Sequence, residues 1–259
     1  MKISEKLIRE SFNSGELSRE LPVFVFDSIG STNDEAKRFA EENTATRAIF
    51  LASSQTNGRG RRGRSFISPE GGLYLSILIR PSSHIKDAVC VTSYTAVIVR
   101  RAIEELTGLS ASIKWVNDIT VNQKKLSGIL TEGKTRPDGT LEYCVVGIGI
   151  NVHGTHLNDE IKDIATTLEI EGYTVSREAL AARISELFFT EYEKSGTKEI
   201  ADEYRRACPL IGKSVTVMKL SESYPALVEG ITDSCELVLR LGSGECEILS
   251  TGEVSIRVI

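Results

Sequence analysis

Apolar positions along the chain recur on two periods, and the switches between them mark out the elements. Leu7, Ile8 and Phe12 predict a short N-terminal helix. Residues 22–27 (PVFVFD) alternate on a strand period and run into STNDEAKRFAEEN (31–43), where Thr32 and Glu35 have the spacing of a capping box. Strand, tight turn and helix start are expected there in that order. AIFLASS (48–54) predicts a second strand and LYLSILIR (73–80) a third, buried on at least one face. Between them, QTNGRGRRGRSFISPEGG (55–72) carries four arginines and five glycines with almost no aliphatic residue, so it must be a loop. Over 87–108, Val91, Tyr94, Ile98 and Ala102 share one stripe, predicting a mostly buried helix stopped at Gly108.

Residues 112–133 read as a strand, a turn at Asn117-Asp118, a short strand, a turn at Asn122 and a strand from Lys125. RPDGT (136–140) is a turn. LEYCVVGIGINV (141–152) is a further strand, whose Gly147 and Gly149 mark where a ligand or another backbone comes close. Helices follow over 176–194, with Ser176 as N-cap, and over 198–206. After Gly212 only five short strand-like runs remain, which predicts a separate small all-β barrel. The expected domains are therefore 1–211 and 212–259.

The composition is that of an ordinary folded chain: 259 residues, 41% hydrophobic, 26% charged. No run nears the ~18 apolar residues of a membrane span. The N-terminus lacks the apolar segment of a secretion signal. Five cysteines, none in a CxxC pair, suit a reduced cytoplasmic chain with buried thiols. A net charge of −5 disfavours bulk nucleic-acid binding. His84, His153 and His156 make no paired ligand spacing, so no metal motif is expected.

Gly58, Gly60 and Gly63 satisfy GxGxxG, but RSFISPEGG cannot start the helix that a dinucleotide fingerprint requires. Gly212-Lys213-Ser214 lacks the first glycine of a P-loop, since position 207 is alanine. What GRGRRGR (58–64) offers is four guanidiniums on a glycine-hinged loop, which repel one another when empty and order around phosphate. By itself the loop fits an anion or nucleotide lid, a nucleic-acid contact or an idle solvated segment. Lys125, just before an apolar strand containing Gly128, can aim its ammonium at a phosphate or carboxylate, or simply be a solvated strand-end lysine. Trp115 reads as core, and Asp118 as a turn residue. Ser31, Thr32 and Asn33 read as helix capping, or as three polar groups around a compact polar ligand.

Together these pieces resemble the biotin–protein ligase family (biotin–[acetyl-CoA-carboxylase] ligase). The resemblance is carried by STN (31–33), Gln55 with GRGRRGR (58–64), KWVND (114–118), KLSGIL (125–130), GIGIN (147–151), ATTL (165–168) and GEVSIR (252–257). It implies an α+β fold: a mixed sheet flanked by helices, as in class II aminoacyl-tRNA synthetases and lipoate ligases, plus a C-terminal SH3-like barrel. It implies biotin contacts from Ser31, Thr32, Asn33, Gln55, Gly58, Arg59, Gly60, Arg61, Lys125 and Gly128. It implies nucleotide contacts from Arg61, Arg64, Asn117, Asn151 and Arg257. Lys125 would hold the biotin carboxylate near the α-phosphate, Arg61 would stabilise developing charge and shield the intermediate, and Asp118 would lie near the path of the acceptor lysine.

The implied reaction joins biotin and MgATP into biotinyl-5′-AMP, then transfers biotin to a lysine of a biotin carboxyl carrier protein or domain. Mg²⁺ would be held mainly by phosphates and water. Val116 stands where the family often has proline, and Phe66 near a usual tryptophan; Phe66 can still stack on adenine. Thirty residues precede Ser31, too few for the winged helix-turn-helix of bifunctional members, so a ligase without DNA binding is expected. Relatives often dimerise through lateral sheet contacts, which makes a homodimer an expectation of the resemblance. The rival enzyme reading is a lipoate ligase, and the rival of another class a nucleic-acid-binding module.

Overall fold

In a computed structural model we describe residues 2–81, 88–138, 140–155, 157, 159–194, 196–219, 222–250 and 255–258. His84 and His156 lie outside them. The chain opens with α1 (Glu5–Ser11) and α2 (Gly15–Glu20), followed by β1 (Val23–Phe26), α3 (Thr32–Glu42), β2 (Arg47–Ala52), β3 (Leu73–Ile79) and the long α4 (Ala88–Thr107). Next come β4 (Ser112–Lys114), β5 (Asp118–Val121), β6 (Lys124–Thr135), β7 (Leu141–Ile150), α5 (Arg177–Glu191) and α6 (Lys198–Ala207). The last strands are β8 (Ser214–Met218), β9 (Ser223–Ile231), β10 (Leu237–Leu241), β11 (Cys246–Leu249) and β12 (Ser255–Val258). The expected elements are present. The pattern missed α2, whose single buried residue, Leu17, gives no periodicity to read.

β1 to β7 form one mixed sheet in the order β1-β2-β3-β7-β6-β5-β4. β1 pairs with β2 in parallel, and every other neighbour is antiparallel. The parallel pair needs a crossover, which α3 supplies. Alternation along β7 assigns the faces. Cys144, Val146, Ile148 and Ile150 join the large core beneath α4 and α5. Tyr143 and Val145 point the other way, into a smaller core with Ala36 and Ala40 of α3. Small alanines let α3 lie close to the sheet, and Phe24, Phe39 and Phe50 fill the gap beside it, Phe24 stacking on Phe50 at 4.9 Å. Further along the same face, β7 presents Gly147 and Gly149.

β8 to β12 form a second sheet, all antiparallel, in the order β11-β10-β9-β8-β12. The expected separation is incomplete: Val215, Val217, Val228 and Leu239 belong to the same continuous core as the large sheet. Polar ties fix the seam. Trp115 Nε1 donates to Cys235 O at 2.9 Å and Arg205 Nε to Ile231 O at 2.7 Å; beside the seam, Tyr204 Oη donates to Val116 O at 3.0 Å. Trp115, the one tryptophan, is thus core, as its sequence reading had it. Among the described residues no helix is long and apolar enough to cross a membrane.

Burial of two thiols makes the fold sensitive to alkaline pH. It pushes the Cys144 thiol up to about 12 and Cys235 up to about 11, from the ordinary thiol value of 9.0. Above pH ~9 the unfolded chain loses these protons while the native chain keeps them, so stability falls as pH rises, by up to ~1.4 kcal/mol per thiol per pH unit. The urea midpoint is expected to be lower at pH 10.5 than at pH 8, and Cys144→Ala to lose less over that interval. An equal loss in the variant would remove Cys144 from the account.

Candidate active site

The site is built on bare backbone. Gly128 of β6 stands opposite Gly149 of β7, and Gly147 stands between Ser76 of β3 and Leu130 of β6, so all face one side. A Cβ at Gly149 would lie 2.6 Å from Phe66 Cε1, and one at Gly128 would lie 2.8 Å from Lys125 Nζ. One at Gly147 would run into the Asn33 side-chain oxygen. Three functional side chains therefore rest flat on the sheet. The pocket encloses about 480 Å³ between its walls, part of it open to solvent.

The start of α3 forms the polar wall. Ser31, Thr32 and Asn33 are all buried. The expected Thr32–Glu35 capping box does not form. Ser31 occupies the cap position without a side-chain cap bond, and Glu35 pairs with Arg38. The Thr32 N–H instead donates to Gln55 Oε1 at 2.9 Å, with the Thr32 hydroxyl 3.1 Å from the same oxygen. A residue 23 positions away thus caps the helix, which local spacing cannot reveal.

Two residues that stand behind the wall and hold Asn33 escaped the sequence reading. Ser76 Oγ donates to Asn33 Oδ1 at 2.6 Å, and Asn33 Nδ2 donates to Glu132 Oε2 at 2.7 Å. A carboxylate only accepts, so Glu132 fixes which end of the Asn33 amide faces it. Lys37 Nζ donates to Glu132 Oε1 at 2.8 Å. Burial opposes the Lys37 charge, but Glu132 and Asp34 outweigh it and raise its pKa. Ser76 left a signal, as the lone polar residue within an otherwise apolar strand. Glu132, near the end of the strand expected from Lys125, left none.

The arginine loop folds back as a narrow hairpin: Phe66 N donates to Gly58 O at 2.9 Å and Gly60 N to Arg64 O at 2.7 Å, around a 3-10 turn at Arg61–Gly63. Gly58 has no room for a Cβ, which would strike Phe66 O and Ser68 Oγ. Arg59 Nη2 lies 2.8 Å from Asp34 Oδ2. Arg61 Nη1 donates to Asn117 Oδ1 at 3.1 Å, and Asn117 Nδ2 donates to Ile129 O at 2.9 Å. Arg64 is exposed and lines a second, outer cleft beyond the loop.

Lys125 Nζ stands 2.6 Å from Asp118 Oδ1, a close charge contact without hydrogen-bond angles. The ammonium also lies 5.7 Å from the Phe66 ring centre. The Lys125 backbone is clamped, donating to Ile164 O at 2.8 Å and accepting from Thr166 N at 2.9 Å. Asn151, expected at the nucleotide, is outside the pocket lining; its Nδ2 donates to Thr166 O at 3.0 Å and so braces that clamp. Asp118 likewise stands behind Lys125 rather than on the pocket wall. Arg257 lies on β12, opposite Thr216, and its side chain falls outside the described residues.

Polar corner, glycine floor and convergent cations on a mixed sheet describe a pocket for an elongated ligand with an anionic end. The family model for the biotin/lipoate A/B protein ligase family matches residues 25–151, and that for the biotin protein ligase C-terminal domain matches 210–257. The chain is 32% identical over 256 residues to the bifunctional ligase/repressor BirA of Bacillus subtilis, covering 96% of this chain and 78% of that one. It is 28% identical over 233 residues to the biotin–[acetyl-CoA-carboxylase] ligase of Paracoccus denitrificans, covering 86% and 96%. Among solved structures, the biotin protein ligase of Aquifex aeolicus in complex with biotin and ATP matches with a TM-score of 0.78 at 30% identity, covering 92% of this chain and 99% of that one. The chain belongs to the biotin protein ligase family, and its fold is that family's.

The cap contact gives a direct test. Gln55→Ala removes the acceptor of the Thr32 N–H and should destabilise the protein by about 0.5–2 kcal/mol in urea unfolding. Gln55→Glu keeps an acceptor oxygen there and should recover most of the loss. A Gln55→Ala protein as stable as wild type would show that the contact does not cap α3.

Proposed function

We propose that this ligase condenses biotin with ATP to biotinyl-5′-AMP and pyrophosphate, then transfers the biotinyl group to a lysine of a carrier protein or domain. The observation that carries the reading is the arrangement of one pocket: buried Ser31, Thr32 and Asn33 at one end, Arg61 and Lys125 at the other, bare glycine between. A ureido ring offers both N–H and C=O groups to the polar corner. A dithiolane offers neither, so the corner favours biotin over lipoate.

In this reading Ser31, Thr32, Asn33 and Gln55 hold the ureido ring, while Gly58, Arg59, Gly60 and Gly128 close around the bicycle and chain. Lys125 leaves Asp118 for the biotin carboxylate and the α-phosphate, holding the two within reach. A carboxylate oxygen attacks the α-phosphorus and pyrophosphate leaves. Arg61 meets the charge that develops on the phosphate, and with Arg64 and Asn117 holds the nucleotide. Phe66, edge-on to Tyr74 at 6.4 Å, offers its ring to the adenine. In the second step the acceptor amine attacks the acyl carbon, AMP departs, and Asp118, freed of Lys125, accepts the amine's proton.

ATP implies Mg²⁺. Among the described residues no group of three or more His, Cys, Asp or Glu side chains could hold a metal ion. In this reading the ion would be bound by phosphate oxygens and water and carried in with the nucleotide.

Protein, ATP, Mg²⁺ and labelled biotin should transfer label to a carrier domain, and calorimetry should show binding of biotin but not of lipoate. Lys125→Ala should lower adenylate formation by roughly 10²–10³. Arg61→Gly should release biotinyl-AMP and label lysines indiscriminately. Lipoate transfer without biotin transfer would overturn the substrate, and an active Lys125→Ala enzyme would remove Lys125 from its role.

A further inference from the structure

Four charged side chains run in line from the arginine loop to the pocket floor. Arg59 Nη2 lies 2.8 Å from Asp34 Oδ2, and Asp34 Oδ1 lies 3.0 Å from Lys37 Nζ. Lys37 Nζ lies 2.8 Å from Glu132 Oε1, and Glu132 Oε2 accepts from Asn33 Nδ2 at 2.7 Å. Each carboxylate spends its two oxygens on different partners, so the line is unbroken. Asp34 and Lys37 sit one turn apart on α3, as neighbours on one helix face. The helix is the rigid member; the loop on one side and the strand end on the other are read against it.

We propose that Asp34 and Lys37 are positioning residues that couple the seating of the arginine loop, through Arg59, to the orientation of the Asn33 amide in the pocket. The two ends of the relay differ in exposure. Arg59 and Asp34 are 44% and 38% exposed, Lys37 and Glu132 26% and 25%. Salt screens the loop end first, and that end opens first. When Arg59 leaves, Asp34 has only Lys37 to hold. It draws the ammonium away from Glu132, which loosens the acceptor that orients Asn33. Closing the loop therefore tightens the amide, and a ligand that needs the oriented amide favours the closed loop by the same amount. The inference deepens the biotin reading and takes its kinetic arm from it; its structural arm does not depend on that reading.

Trypsin cuts after arginine, and the loop carries Arg59, Arg61, Arg62 and Arg64. Opening is thus read as cleavage within 59–64, identified by fragment mass and normalised to trypsin's rate on a small peptide. At low salt, Asp34→Asn should be cut about two- to five-fold faster than wild type. Raising NaCl from about 0.05 to about 0.5 M should speed wild-type cleavage by a similar factor and leave Asp34→Asn flat. Asp34→Glu should restore wild-type behaviour. Lys37→Met, which leaves Asp34 to Arg59 alone, should slow loop cleavage, and should raise the biotin KM more than it lowers kcat. Wild-type cleavage and salt response in Asp34→Asn would refute the latch. Wild-type cleavage in Lys37→Met would refute coupling beyond Asp34. If no variant, nor wild type, turns over biotin, the functional reading falls while the cleavage comparison still decides the relay.

Discussion

A sheet face covered with side chains keeps any ligand several ångströms from the backbone. Here three facing positions on two paired strands, Gly128, Gly147 and Gly149, carry none, and the rest of the site follows from that gap. Asn33, Phe66 and Lys125 come from three different segments, yet each lies against one of these glycines. Their positions are fixed by contact with a strand whose opposite face is packed under α4 and α5. The pocket is therefore rigid below, and its adjustable parts, loop and long cationic side chains, are all above. A site that must align two substrates and then exclude water benefits from that division.

The electrostatics of the pocket reconcile an acidic protein with an arginine-rich loop. Four cations at the site have a neighbouring acid or amide: Arg59 faces Asp34, Lys125 faces Asp118, Lys37 faces Glu132, and Arg61 reaches Asn117. Two of the loop's four arginines, Arg59 and Arg61, are engaged in this way, which lessens the repulsion among like charges on one short loop. The acids make the empty pocket tolerable, and an entering anion competes with them one contact at a time. A patch built to grip nucleic acid has the opposite need, with cations exposed along an extended face and free of such partners. That contrast is what the loop sequence alone could not supply, since four arginines among glycines suit either use.

What the sequence disclosed, and what it withheld, follows from distance along the chain. Period changes placed nearly every helix and strand, because burial of one face is a local signal. The glycines of GIGIN announced a close approach, and Trp115 announced core. The partners of those residues were not legible. Gln55 caps a helix 23 residues away, Ser76 orients Asn33 across 43, and Glu132 accepts from Asn33 across 99. Asn151 belongs to a recognised motif yet supports the Lys125 backbone instead of lining the pocket. The parallel β1–β2 pair and the continuity of the two cores are likewise products of tertiary packing.

Trp115 carries the argument beyond the pocket. Its indole N–H reaches Cys235 in the turn between β9 and β10, while two residues on Asn117 holds Arg61 and three on Asp118 holds Lys125. Tyr204 of α6 donates to the carbonyl of Val116 between them. One short turn thus joins the seam with the C-terminal sheet to both cations at the anionic end of the site. A shift of that sheet cannot leave the turn where it is, because the indole and its acceptor are buried and neither has water to fall back on. The C-terminal sheet is in this sense part of the site's foundation: among the described residues it contributes no side chain to the pocket lining, but it holds the turn on which Arg61 and Lys125 depend.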